Sequence, residues 1–403
     1  MQKRPARRAG FTLLTVLLGA VGSGPLLVYG LSATSDRIIT DLGISSAQFG
    51  LLATVCFACA AVGNATLGRT ADRHTDRTLM SAIFLLALAA LVLAGMPGGY
   101  ALLLVAAGLS GLSQSFPNGV TNRILLERVP AAQRISWVGI KQSGVQVSQL
   151  VASLAFPVLA LWAGWRGAAL LGALIPCALL LLAWHCLRTT PLLSAPQERP
   201  APTSSSPRPD RIRRTGTVWA LAGFGLLNGI GVQATNVYLP LFAVRELDFS
   251  LVLGGATAAV AGVVGVAARV GWARVMARGA SGPLVLLVLG LLALVGAACF
   301  YGAWATDWAA LLWTAVALHG ISALGVSVVV MSALMRVIPS ASMASASGIL
   351  TAGMFAGFAS GPVAMGAIIS SPGGFQLGWV TVGAVYLLCA ALALVLITRR
   401  GRN

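Results

Sequence analysis

The chain has 403 residues, of which 9% are charged and 57% hydrophobic, with a mean hydropathy of +0.87. Soluble domains carry about 25% charged residues, so this chain has too little polar surface to coat a water-facing globule and is expected to be an integral membrane protein. Its formal charge of +17 suggests nucleic acid only until the basic residues are located along the chain.

The first element is a basic head, MQKRPARRAG, followed by an apolar run from Phe11 to about Ala33. A secretory signal has this order, but its apolar core is only about 7–15 residues long. The run here is longer and leads into more apolar sequence, so it reads as a first membrane span. About 20 residues cross the hydrocarbon core as a helix, and the stretches lack the dyad alternation of a membrane barrel. Cutting where charge, Pro and Gly cluster predicts spans at 11–34, 45–67, 78–96, 100–126, 137–162, 166–187, 217–240, 250–272, 283–304, 308–335, 343–369 and 375–397. An all-α membrane protein of 12 transmembrane helices is expected. The stretch 188–216, RTTPLLSAPQERPAPTSSSPRPDRIRRTG, is rich in Pro, Ser and Arg and reads as a linker. It divides the chain into six-helix bundles at 1–187 and 217–403.

Of the 27 Lys and Arg, the loops on the side of the N-terminus hold 21, whereas the opposite side holds Arg37, Arg166 and Arg245. The positive-inside rule then places both termini and the linker in the cytoplasm of a multi-pass inner-membrane protein. The surplus charge is topological, and no nucleic-acid partner is expected. The six cysteines fall inside apolar runs and read as small buried hydrophobes. With no catalytic dyad or metal cluster in the spans, neither an enzyme nor a cofactor or metal is expected.

The halves repeat each other. LERVP at 126–130 is followed by GIKQSG at Gly139, and LMRVIP at 334–339 by GILTAG at Gly348; the offset is 209 at the proline and at the glycine, and Gly144 maps onto Gly353. Such duplicated bundles are the architecture of secondary transporters.

The loop GRTADRHTDR at 68–77 resembles the signature of the major facilitator superfamily in Gly68, Asp72 and Arg73, while Thr70, Thr75 and Asp76 depart from it. Together with the predicted spans, the linker, the repeat and GWR at 164–166, the resemblance covers the whole chain. It implies two pseudo-symmetric bundles, alternating access and a gating latch in which the loop carboxylate faces a helix N-terminus. Within the superfamily, 118–144 resembles bacterial cyanate-type permeases and the nitrate and monocarboxylate carriers. Arg269 matches a substrate-binding arginine of those anion carriers. Asn64 stands near the nitrate carriers' other arginine, and Gly265 where monocarboxylate carriers have a carboxylate. Drug–proton antiporters keep an arginine where this chain has Ala107, and a Gly-Pro pair that its fifth span lacks.

Three cations lie within or at the edge of spans: Arg123, Lys141 and Arg269. A cation at the centre of a span costs about 2.5–3.5 kcal/mol on insertion scales, so each must face a cavity, find a partner or snorkel to the surface. Arg123 is one turn from Glu127, Lys141 about four residues into its helix, and Arg269 near a helix end. Facing inward, the three would form a basic rim for an anionic cargo. Asn118, Gln142, Gln146 and Asn236 are further candidates for cargo contact or interhelical hydrogen bonds, and Gln142, Gln146 and Gln149 recur at helical spacing. Tyr29 and Tyr238, with Phe116 and Trp137, could wall the site. His319, in the tenth span, is the candidate proton carrier. The expected function is secondary active transport of a small organic or inorganic anion by a monomer in the lipid bilayer, by symport or antiport. The alternative is a proton-coupled exporter of amphipathic drugs or metabolites.

Overall fold

The computed structural model describes residues 4–66, 74–189, 216–338 and 343–400, and nearly all of them are helical. The helices are α1 (Arg4–Ser23), α2 (Pro25–Ala33), α3 (Ser35–Leu42), α4 (Ser46–Thr66), α5 (Asp76–Gly95), α6 (Tyr100–Ser113), α7 (Pro117–Arg128), α8 (Ala131–Gln142), α9 (Gly144–Gly172) and α10 (Leu174–Thr189). They continue as α11 (Gly216–Glu246), α12 (Leu251–Ala277), α13 (Gly282–Thr306), α14 (Ala309–Ile321), a 3-10 turn (Ala323–Gly325), α15 (Val326–Val337), α16 (Met343–Ile369) and α17 (Gly374–Arg400).

Ten helical stretches among the described residues are long and apolar enough to cross a bilayer; the pair 10–23 and 25–33, bent by 60°, makes an eleventh. Gly24 and Pro25 sit at that bend, where proline removes a helical donor, and the Gly24 carbonyl accepts from Ser110 Oγ at 2.7 Å. One stretch, Ser136–Thr189, runs 54 residues, about 80 Å at 1.5 Å per residue and more than two bilayer crossings. Gly164, at φ +69°, breaks its helical path between the spans expected at 137–162 and 166–187; a side chain there would strain the left-handed backbone. Large apolar side chains face outward, among them Leu161, Trp162, Leu174, Leu181 and Leu387, as on a surface whose solvent is hydrocarbon.

The chain forms two compact units, one of residues 1–38 and 58–200 and the other of 39–57 and 201–403. In the first, Leu13, Val16 and Leu17 of α1 pack with Met80, Ile83 and Phe84 of α5, Ile124 of α7 and Cys186 of α10. In the second, α11 lies along α16 and α13 along α17. Gly353, Gly357 and Gly361 of α16 face the backbone carbonyls of Ala222, Leu226 and Ile230 on α11 so closely that a Cβ on any of the three would overlap them. Four-residue spacing on both helices stacks these contacts along one seam. Phe242, Phe300, Phe375 and Trp379 fill the space beside it, with Phe300 and Trp379 stacked at 4.4 Å. The second unit also holds the first half of α4: Tyr238 donates to Ser46 O at 2.6 Å, Thr54 to Ala359 O at 2.6 Å, and Ala47 N–H to Ser370 Oγ at 3.1 Å.

Candidate functional site

In the first unit the polar side chains gather where α6, α7 and α8 meet. Gln114 and Ser115 bond three residues back, to Gly111 and Leu112, and Pro117 then starts α7 without a donor of its own. The Gln114 carbonyl accepts from Asn64 Nδ2 at 3.3 Å. One turn into α7, Thr121 donates to the Pro117 carbonyl and accepts from Lys141 Nζ at 2.6 Å.

Lys141 is 0% exposed. Its ammonium therefore does not snorkel; it ends inside the unit, on a neutral hydroxyl, and Thr121 is its hydrogen-bond partner among the described residues. On the exposed side of the same helices Gln142 Nε2 donates to Asn118 Oδ1 at 3.0 Å. Gln146 and Gln149 are buried, as is Tyr29 on α2. The expected shared face of Gln142, Gln146 and Gln149 is interrupted, because α8 ends at Gln142 and Ser143 bonds three residues back to Ile140 before α9 begins.

The ion pair of Arg123 is with Asp76 rather than with the expected Glu127. The Arg123 Nε meets Asp76 Oδ1 at 2.6 Å in that ion pair, and the guanidinium also donates to His74 O at 3.0 Å. Asp76 is available because Thr75 caps α5, its Oγ1 accepting from Thr78 N–H at 3.3 Å, which puts the carboxylate in the favourable first helical turn. Gly68, Asp72, Arg73 and nearly all of the 188–216 linker lie outside the described residues.

The second unit has a corresponding interruption in its fourth long helix. α14 ends at Ile321, Gly325 N–H turns to Ser322 O at 3.0 Å, and α15 begins at Val326. No proline is involved; Ser322 Oγ instead donates to Leu318 O at 2.6 Å, a local bond that competes with helix. Three side chains meet the carbonyls here: Trp272 Nε1 on Ile321 O at 2.8 Å, Asn228 Nδ2 on Ala323 O at 3.2 Å and Arg269 Nε on Leu324 O at 3.0 Å. His319, two residues before the end of α14, is 3% exposed, and its Nε2 lies 3.1 Å from Asn236 Oδ1. Which of the two donates follows from the ring tautomer and the orientation of the Asn236 amide. Gln233 and Thr235 are buried nearby in sequence on α11, and neither Gln233 Oε1 nor Thr235 Oγ1 has a hydrogen-bond partner among the described residues.

The three cations do not converge on one spot within either unit. Arg123 is paired and Lys141 is buried in the first, whereas Arg269 engages a helix interruption in the second. Sequence reading missed Thr121, Asp76, Trp272 and both interruptions. The signals were Pro117 in mid-span and the flanking Gly320 and Gly325. Gly265, noted for the carboxylate it replaces, lies against Leu324, where a Cβ would come within 2.6 Å of Cδ1; an acid there would have to displace the Leu324 side chain.

A bundle of long apolar helices, lipid-facing outside and interrupted by polar clusters inside, is the build of a membrane transporter. The sequence signature described as Major Facilitator Superfamily matches residues 11–351, and the chain belongs to that superfamily. No protein in the curated comparison matches it. Similar solved structures include a bacterial homologue of the human lysosomal transporter Spinster, in an inward-facing, unoccupied conformation, at 16% identity and TM-score 0.76, covering 98% of this chain and 97% of the other. The nucleoside transporter NupG is similar at 14% identity and TM-score 0.77, with 96% and 99% coverage. At these identities the likeness is one of fold.

Proposed function

We propose that this transporter moves a small anion, organic or inorganic, across the inner membrane by alternating access. In this reading twelve spans form six-helix halves at 1–187 and 217–403, joined by the 188–216 linker, with both termini cytoplasmic. Gly68, Asp72 and Arg73 serve as the gating motif. The observation that carries the cargo class is Lys141: a fully buried ammonium whose hydrogen-bond partner is a neutral hydroxyl. An ammonium has three donors, and burying it without an opposite charge costs several kcal/mol. A flexible four-carbon stem lets it exchange Thr121 for an anion held beside Asn118 and Gln142. Gln146 and Tyr29 supply further contacts to the anion in the first unit; the second unit brings Arg269, Asn236 and Tyr238 as cargo-binding side chains of its own, and His319 as the carrier of the coupled proton.

Uptake into proteoliposomes of labelled carboxylates, cyanate, nitrate and cationic dyes tests this reading. Anions are expected to accumulate, and Lys141→Ala or Arg269→Ala to lower uptake by at least about tenfold, as for removal of one partner of a buried charge pair. Transport of cationic dyes alone, with both variants behaving as wild type, would falsify the anion reading.

A further inference from the structure

We infer that the interruption at 321–325 is a built hinge, and that Asn228, Arg269 and Trp272 are positioning residues that hold it open. A 3-10 stretch inside a long helix is costly unless something replaces the regular bonding, and such stretches mark hinges. Here the Gly325 N–H bonds Ser322 O, in the three-residue pattern, and the Ile321 carbonyl accepts from Trp272 instead. Asn228 and Arg269 add donors to the next carbonyls, Ala323 O and Leu324 O. Three donors from two other helices thus converge on four consecutive residues. The fit is steric as well: a Cβ on Gly325 would stand 2.6 Å from the Trp272 ring, and one on Gly320 would stand 2.8 Å from the Val264 side chain. Arg269 acts through Nε, the edge of its guanidinium that leaves the two terminal nitrogens for other partners.

The donors tie the hinge to the residues already placed in transport. Asn228 and Asn236 lie about two turns apart on α11; the first holds Ala323 O and the second pairs with His319. A shift of α11 or α12 along the tenth span therefore withdraws donors from the interruption, and α14 and α15 turn about it. This inference does not rest on the charge of the cargo.

Trp272→Phe keeps the ring beside Gly325 and deletes only the N–H; Asn228→Leu keeps the volume and deletes the amide. Amide hydrogen exchange in the full-length protein is expected to rise on the order of tenfold in both variants at 321–328 alone, with 309–318 and 330–337 protected as in wild type, since local opening is read residue by residue. This arm needs no cargo. In proteoliposomes carrying whichever panel compound the wild type transports, turnover should change severalfold at an unchanged half-saturation concentration. Gly325→Ala, which displaces the Trp272 ring, should reproduce both effects. Exchange unchanged at 321–328, or raised evenly across the second unit, overturns the hinge. A raised half-saturation concentration with turnover intact overturns it too, by making these residues cargo contacts. Transport of cationic dyes alone would end the anion reading and leave this test in force.

Discussion

Lys141, Arg123 and Arg269 each carry a charge into apolar helices, and each is accommodated differently. Arg123 finds a carboxylate 47 residues away, Arg269 a backbone carbonyl 55 residues away, and Lys141 a hydroxyl 20 residues away. Helical periodicity singles out partners three or four positions off, which is why Glu127 looked natural for Arg123 and Asp76 did not. That the charges sit at span edges was legible in the sequence; what they touch depends on which helices pack together. A double-mutant cycle with Asp76→Ala and Arg123→Ala is expected to give a coupling energy of about 1 kcal/mol in thermal unfolding in detergent, at the upper end for pairs still reached by water. A coupling near zero would show that the bond to His74 O holds Arg123 unaided.

At the scale of elements, the seam between α11 and α16 and the turn at Gly164 show what glycine does in this chain. The 209-residue repeat and the close-spaced glycines were readable in the sequence, and the structure places Gly144 against Leu18 O in the first unit and Gly353 against Ala222 O in the second. Not every glycine is under that constraint. Gly348 has open space where a Cβ would go, whereas Gly357 faces the Leu226 carbonyl. Gly357→Ala is therefore expected to destabilise the second unit by about 1–3 kcal/mol, as overpacking does. Gly348→Ala should be neutral or stabilising by up to ~1 kcal/mol through helix propensity. Melting curves of the two variants in one detergent check the contrast, and equal shifts would mean that the seam yields. The helix interruptions were harder to read. Hydropathy averaged over a span runs straight through 114–116 and 322–325, because the few Gln, Ser and Gly residues there are outweighed by their apolar neighbours.

At the scale of the whole molecule, composition specified a membrane protein, the length of the apolar runs a helical one, and the superfamily match places it among transporters. Cargo and coupling were not legible, since they depend on a few side chains whose environment is set by packing. If His319 carries the coupled proton, His319→Gln should abolish accumulation driven by a pH gradient while sparing exchange of labelled for unlabelled cargo. Gln can keep a hydrogen bond to Asn236 but cannot titrate. Loss of both activities would instead assign His319 to holding the second unit together.

The fourth long helix of each unit is broken at matching places, 114–116 and 322–325, yet by unlike means: a proline in one, serine and glycine in the other. If one ancestral half gave rise to both, the location of the weak point has outlasted the residues that make it. Descendants have been free to change how the rod yields and have kept where it yields.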